Sequence, residues 1–562
     1  MYYQCEIEIP NVKGKITKKT IKGTTYIYYK TGSKYNAKKR YTEPVNITIG
    51  KVSDTSPDMM YPNQNFISVF PGVELLQEEE TAGRSHCLHI GAYVVIKKII
   101  EEYGLDVMLS RIIGRDAGLV MDFAAYCIIT ESNVGQHYPA YAFNHPLFTG
   151  GMRIYSDSKL SQMLNTITVD QIIMFLNQWN ERRNHREKIY ISYDSTNKNC
   201  QSGDIEMAEY GKAKNDQGKP VINIGMAYDQ KNREPLFYEY YPGSIPDVVQ
   251  LEFMLESAQG YGYKNLGFIL DRGYFSKDNI ALMDANHYSF VIMVKGKKAL
   301  VRELISENKG KFETDRYNYI KEYGVHGITI EHKLCESDEK TRYFHLYYSY
   351  EKYSYERKHF EDKLIRMERI MSRAKGREVR LSDDYEKYFN LYYGYRGDII
   401  SFLEDRKAVE EELGYYGYFV IITSEKMSAE EALILYKSRD ASEKLFRGDK
   451  SYLGGQTNRT HGSESTEAKI FIEFIAMIIR SRIYTALVDH RKKEMNWNNY
   501  LSVPAAIGEL EKLEMTKKND GSYRIAYALT AAQKDIYNAF DISTEHVKQC
   551  AMEIQETLKN RK

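Results

Sequence analysis

Tryptophan is nearly missing from this 562-residue chain, which holds 2, and proline and cysteine are sparse at 12 and 6. The six thiols (Cys5, Cys87, Cys127, Cys200, Cys335, Cys550) include no CxxC pair. That excludes a paired-cysteine metal site, and a chain of this size needs no disulfide staples. Net charge is scarce too. Lys and Arg number 78 against 77 Asp and Glu, leaving +1, so a uniformly basic coat is excluded but a local basic patch is not. No uncharged apolar run reaches membrane-spanning length, and no membrane partner is expected. The best candidate, 470–479, carries Glu473 inside it and reads as a buried helix. The first residues lack a basic start and an apolar stretch, so the expected address is the cytoplasm. What is present is a globular balance, 43% hydrophobic and 28% charged, which argues against wholesale disorder. The length suggests roughly three to five domains.

The scarce net charge is unevenly spread. Residues 1–52 hold 11 Lys and Arg against 3 acids, a surplus of 8. Thr24–Tyr29 and Val45–Ile49 read as short strands. A basic β unit over 1–55 is a plausible binder of DNA phosphates through Lys18, Lys19, Lys38, Lys39 and Arg40, because such cations displace condensed counterions. The bland alternative is a solvated, charged extension. A polar stretch with Pro57, Pro62 and Pro71 reads as a linker, followed by helical periodicity from about 86 to 182. Together these make a second segment, 56–185, also a candidate for DNA binding. His86 and His89 could share a metal, but no further ligands cluster nearby, and a structural role is expected.

At residue 186 the pattern changes to mixed α/β. Ile189–Asp194 alternates and ends on an acid. Val221–Tyr228 and Pro235–Tyr241 follow as strands, then a helix, then the apolar strand Leu266–Asp271, again ending on an acid. Residues 300–415 interrupt this order as an α+β insertion. Tyr418–Thr423 returns to the sheet, and Ser428-Ala-Glu-Glu431 opens a helix as a capping box. The segment 486–562 reads as mostly helical, with dimerisation as a candidate role.

Strand ends in an α/β sheet open onto a crevice, so Asp194 and Asp271 converge if their strands are neighbours. Two close carboxylates repel, and a divalent cation with a preference for oxygen ligands resolves the conflict. The helix from Ser428, if it persists, places Tyr436, Arg439, Glu443 and Lys450 within a stripe of about 60°. As an isolated pattern, a solvated charged face is the commoner explanation of such a stripe.

The spacing Tyr436-x2-Arg439-x3-Glu443-x6-Lys450 resembles the YREK signature of bacterial insertion-sequence DDE transposases. Tyr193-Asp194-Ser-Thr196 and Leu270-Asp271-Arg272-Gly273-Tyr274-Phe275 resemble the family's first and second aspartate motifs. The resemblance covers 186–300 and 416–485 well. It implies a ribonuclease-H-like core in two parts (186–299 and 416–485), with the insertion between them. Asp194, Asp271 and Glu443 would be a catalytic and metal-binding triad for two Mg²⁺ ions, with Mn²⁺ able to substitute. Tyr436, Arg439 and Lys450 would hold transposon-end DNA. Implied partners are double-stranded DNA, as element ends and target, and a second copy of the chain on that DNA. The implied setting is the bacterial nucleoid. A metal-dependent nuclease without strand transfer and a non-catalytic, transposase-derived DNA-binding protein are the alternatives. A carboxylate-pair glycosidase leaves the spacing around Glu443 unexplained.

Overall fold

The structure is a computed structural model of the chain. It describes residues 2, 6–21, 23–36, 39–53, 56–71, 73, 84–182, 188–201, 204–213, 216, 218–296, 298–336, 338, 340–439, 457–494 and 501–560. The chain divides into two compact units, Met1–Ser85 and His86–Lys562.

The first unit is a five-stranded antiparallel sheet. Its strands are β1 (Ile7–Glu8), β2 (Ile16–Ile21), β3 (Thr24–Asn36), β4 (Tyr41–Val52) and β5 (Met59–Pro62), in the order β1-β5-β4-β3-β2. Ile27, Ile49, Met60 and Phe66 form its small core. The linker expected from residue 56 is therefore corrected: β5 and the helix Gln64–Val69 belong to this unit. Pro62 closes the strand. The Asn63 side chain then accepts the N–H groups of Asn65 and Phe66 and starts the helix, satisfying donors that a helix start leaves unpaired. The prolines that read as a linker are turn and strand-end residues here.

The second unit opens with β6 (Cys87–His89) and six α-helices, from Gly91–Tyr103 to Val169–Glu181. A mixed sheet follows. Its first strands are β7 (Ile189–Cys200), β8 (Val221–Asp229), β9 (Glu234–Pro242), β10 (Leu266–Leu270) and β11 (Ser289–Met293). β8 runs antiparallel to both β7 and β9, while β10 is parallel to β7 and β11 parallel to β10. All nine residues of β8 are buried, as expected of a strand covered on both faces.

The segment expected as a separate insertion is partly continuous with this sheet. β12 (Tyr319–Ile320), β13 (Val325–His332) and β14 (Arg342–Tyr348) extend it through the later strand β17 (Tyr418–Thr423), which pairs with both β14 and β11. The remainder does form its own cluster. The helix Tyr350–Ala374, the hairpin β15 (Phe389–Tyr393) and β16 (Ile399–Glu404), and the helix Arg406–Leu413 bury Phe360, Leu364, Met371 and Phe389 together. Beyond β17, the short strand β18 (Thr457–Asn458) runs parallel to the end of β7.

The 32-residue helix Ser463–Glu494 packs against both the sheet and the helical layer. Phe474 meets Tyr238 of β9 at 5.0 Å and Phe471 meets Phe175 at 5.1 Å between ring centroids. The C-terminal region, expected to be mostly helical, also contains β19 (Glu514–Lys517) and β20 (Tyr523–Ile525). β19 pairs back onto β6 across the length of the unit's sequence. Among the described residues, no helix is long and apolar enough to cross a membrane.

His345, on β14, is wholly buried, with its ring nitrogens at 3.0 Å from Thr329 Oγ1 and 2.9 Å from Thr423 Oγ1. Burial pushes its imidazole down from the ordinary 6.5 to about 4. The unfolded chain takes up this proton as pH falls below 6.5, while the folded chain refuses it until about 4. Stability is therefore fully present above 6.5, and this residue alone removes up to about 3 kcal/mol on acidification through that window. Denaturant unfolding at stepped pH should show that slope in the native protein and lose it in His345→Gln. An equal slope in both would exclude the residue as its source.

Candidate active site

The apolar runs Ile189–Tyr193 and Leu266–Leu270 become neighbouring buried strands, but the expected strand end at Asp194 is corrected: β7 continues through paired polar residues to Cys200, so Asp194 lies within the strand and only Asp271 follows a strand end. Their parallel register pairs Leu266 with Ile189 and continues to Leu270 with Tyr193. Continued by one position, past the end of β10, the same register would set Asp271 level with Asp194. In a parallel pair, side chains at matched positions share a face, and neighbouring strands lie about 4.8 Å apart.

Each acid has a defined local setting. Asp194 is half-buried, and its Oδ1 accepts the Ser195 N–H at 2.8 Å. Asp271 stands at the end of β10, and its carbonyl accepts the Tyr274 N–H at 2.9 Å to start the short 3-10 turn Arg272–Tyr274. Its carboxylate is about a third exposed and pairs with the Arg439 guanidinium at 2.7 Å. Arg439 lies 5.2 Å over the Tyr436 ring. Tyr436 is itself 5% exposed and packs with Ile269, Val291 and Ile421 against the sheet. The residue pair expected to touch DNA therefore divides its work. The ring is core and supports the guanidinium, and the guanidinium reaches Asp271.

The sequence predicts one helix from Ser428 through Tyr436, Arg439 and Glu443. The capping box is present, with the Ser428 hydroxyl accepting the Glu431 N–H and Glu431 reaching back. The helix, however, is Ala429–Lys437, and Arg439 stands in the turn beyond it. At this end the Ser438 N–H still donates to the Ile434 carbonyl, but the Arg439 N–H turns to the Tyr436 carbonyl at 3.3 Å. The Ser438 hydroxyl donates to the Leu435 carbonyl at 2.6 Å, competing for backbone acceptors as serine commonly does at helix ends. Glu443 and Lys450 lie outside the described residues.

Two adjacent carboxylates are the donor set a divalent cation prefers. The cationic Arg439 drawn to one of them marks the same negative field. Among the described residues, no group of three His, Cys, Asp or Glu side chains assembles as a metal site. A third ligand would have to come from outside that set. The basic residues of the first unit are placed as follows. Lys18 donates to the Pro57 carbonyl at 2.9 Å, and Lys19 is exposed on β2. Lys39 pairs with Glu43 at 3.0 Å, and Arg40 occupies the turn between β3 and β4 at φ 57°. Lys38 lies outside the described residues.

Sequence reasoning missed the support beside the acids. Four residues after Asp194, on the same strand face, buried Lys198 pairs with buried Glu473 at 2.5 Å, and Asn133 donates to the other Glu473 oxygen at 2.8 Å. Buried Lys469 lies on the same long helix. Burial alone would push the Glu473 carboxyl up, but Lys198 and Lys469 hold it below its ordinary range. The signal was a single glutamate inside the apolar run Ile470–Ile479. On the opposite sheet face, a Cβ at Gly225 would fall 2.0 Å from the Tyr193 hydroxyl, so only glycine leaves room for that ring. Glu239 sits there with Ser257 and Gln250 donating at 2.5 and 3.1 Å. Burial raises its carboxyl above the ordinary range despite these bonds.

The profile of the family described as "Transposase DDE domain" matches residues 186–479, just over half of the chain. No curated protein matches the chain. Among solved structures, a cryo-EM piggyBac transposase synaptic complex with hairpin DNA is similar at 8% identity and a TM-score of 0.32. That likeness covers 72% of this chain and 65% of that one, and it is too weak to carry a structural argument.

The pair Lys198–Glu473 yields a direct expectation. Glu473→Gln leaves two buried ammonium groups without their anion and should cost about 3–5 kcal/mol. Urea unfolding measures it, and a loss below about 1 kcal/mol, the value of an exposed pair, would contradict the buried-pair account.

Proposed function

The chain belongs to the transposase DDE domain family, and from that membership we propose that it is a DNA transposase of a bacterial insertion sequence. It cuts at the ends of its element and joins the freed 3′ ends to target DNA. The observation that supports the reading is the parallel pairing of β10 with β7, whose register runs to Leu270 and Tyr193, the residues just before Asp271 and Asp194, together with the Arg439–Asp271 pair.

Asp194, Asp271 and Glu443 would hold the divalent ions, two Mg²⁺ with Mn²⁺ able to replace them. When bound, such ions neutralise developing charge on the phosphate and activate the attacking oxygen. The chain's own residues supply position. The two aspartates are fixed by paired strands, so they need little reorganisation as DNA arrives. The Arg439 guanidinium can grip a phosphate bidentately, and the Tyr436 ring beneath it restricts where it can swing. Lys450 would act as a point charge on the same backbone. In cutting, water displaces the 3′ oxygen from phosphorus. In joining, the freed 3′ hydroxyl displaces a target-strand oxygen in line, so one phosphodiester replaces another. Handling two ends together calls for two copies of the chain on DNA.

The test is a plasmid carrying the inverted repeats that flank the coding sequence, incubated with the protein and Mg²⁺ or Mn²⁺. Excised element and joined product are expected. Asp194→Ala, Asp271→Ala and Glu443→Ala should each lower cleavage at least about a thousandfold and leave end binding in place. Cleavage without joining would make the protein a nuclease, and binding without cleavage a non-catalytic DNA-binding protein. Retained cleavage in any single variant removes that residue from the triad.

A further inference from the structure

In the first unit, β3 and β4 outrun the rest of their sheet. β2 pairs with β3 only over Thr24–Tyr29, and β5 pairs with β4 only over Gly50–Val52. Apart from the Lys30 N–H, which donates to the Lys15 carbonyl at 2.8 Å, the two strands pair only with each other from Lys30↔Asn46 to Asn36↔Tyr41 among the described residues. The hydrophobic core stops at Tyr29 and Ile47. Beyond it lies a two-stranded ribbon of about 20 Å, at about 3.4 Å per residue.

A ribbon of this kind is marginally stable by itself and exposes surface that folding would otherwise cover. Here Tyr35, Tyr41 and Val45 are 63%, 52% and 43% exposed. Its end is nevertheless built. The Asn36 side chain accepts the Lys39 N–H at 3.3 Å and donates to Glu43 at 3.1 Å, while the Arg40 N–H returns to the Asn36 carbonyl at 2.9 Å. Four described cations, Lys30, Lys34, Lys39 and Arg40, stand against one acid, Glu43, which Lys39 already neutralises at 3.0 Å.

Register sorts the side chains by face. Ser33↔Pro44 and Tyr35↔Thr42 share one face, which is uncharged and rich in hydroxyls. Lys34↔Glu43 and Asn36↔Tyr41 share the other. We propose that this ribbon is a groove-reading arm for duplex DNA. Its hydroxyl face, Ser33, Tyr35 and Thr42, lies against base edges, and Lys34 and Arg40 reach the flanking phosphates. The major groove, about 12 Å wide, admits a two-stranded ribbon. A second copy of this chain would present the same positive surface and be repelled, whereas a polyphosphate backbone is complementary. The inference rests on the transposase reading and names the part of the chain that recognises the DNA.

The experiment measures binding of the full chain by fluorescence anisotropy over a salt series. The probes are a labelled duplex from the DNA flanking the coding sequence and a scrambled duplex of the same composition. Lys34→Ala/Arg40→Ala should weaken both duplexes alike and reduce the slope of log affinity against log salt by about 2. Tyr35→Ala/Thr42→Ala should erase the preference for the end duplex and keep the native slope. All four positions are exposed or at the ribbon tip, and a circular-dichroism melt checks that each variant folds. If both variants bind as the native chain does, the arm is overturned, and the transposase reading stands or falls on native cleavage of the end duplex. If the native chain binds no duplex, both are overturned. Loss of binding in the variants without any native cleavage supports the arm and rejects the transposase.

Discussion

Parallel pairing between Ile189–Tyr193 and Leu266–Leu270 is the constraint on which the rest of this structure depends. A slip of one residue would turn Asp271 to the other face of the sheet, because strand side chains alternate. The register is held by burial on both faces. Ile191, Tyr193, Phe268 and Leu270 must find the core on one face, and on the other Ile269 is buried and Gly267 leaves room for the Tyr190 ring, which would lie 2.4 Å from a Cβ there. The acids are thus placed by hydrophobic residues that perform no chemistry themselves.

Concentrating negative charge at that edge carries an electrostatic cost, and the surrounding structure answers it with cations at different depths. Arg439, 13% exposed, pairs with Asp271, which is about a third exposed. Lys198 and Lys469 stand deeper, neutralising Glu473 and tying the long helix to the strand that bears Asp194. The Lys198–Glu473 pair is fixed by burial and suits a scaffold. The insertion follows the same economy, since β12–β14 continue the core sheet and only its outer portion builds a separate core.

Much of this was legible in the sequence where local pattern and tertiary role agree. The apolar runs before Asp194 and Asp271 read as strands, although the first strand continues to Cys200, and the capping box at Ser428 marked its helix start. Register and partner choice were not legible. Lys198 and Glu473 lie far apart in the chain, and only their burial in a common core makes them a pair. The end of the helix at Lys437 is a local backbone change at Arg439, which helical periodicity does not register. Pro57 and Pro62 suggested a linker, but here they flank β5, and the short, charged β19 gave too little alternation to stand out. Whether Glu443 completes the site is a question of tertiary placement that spacing alone does not answer.

The central claim is that Asp194 and Asp271, joined by Glu443, hold divalent ions over a DNA backbone. The most direct measurement is anomalous diffraction from Mn²⁺-soaked crystals of the protein bound to its end duplex. The account predicts manganese peaks with oxygens of all three residues at about 2.0–2.2 Å. Manganese bound elsewhere, or a Glu443 carboxylate far from ions held by the two aspartates, would contradict it.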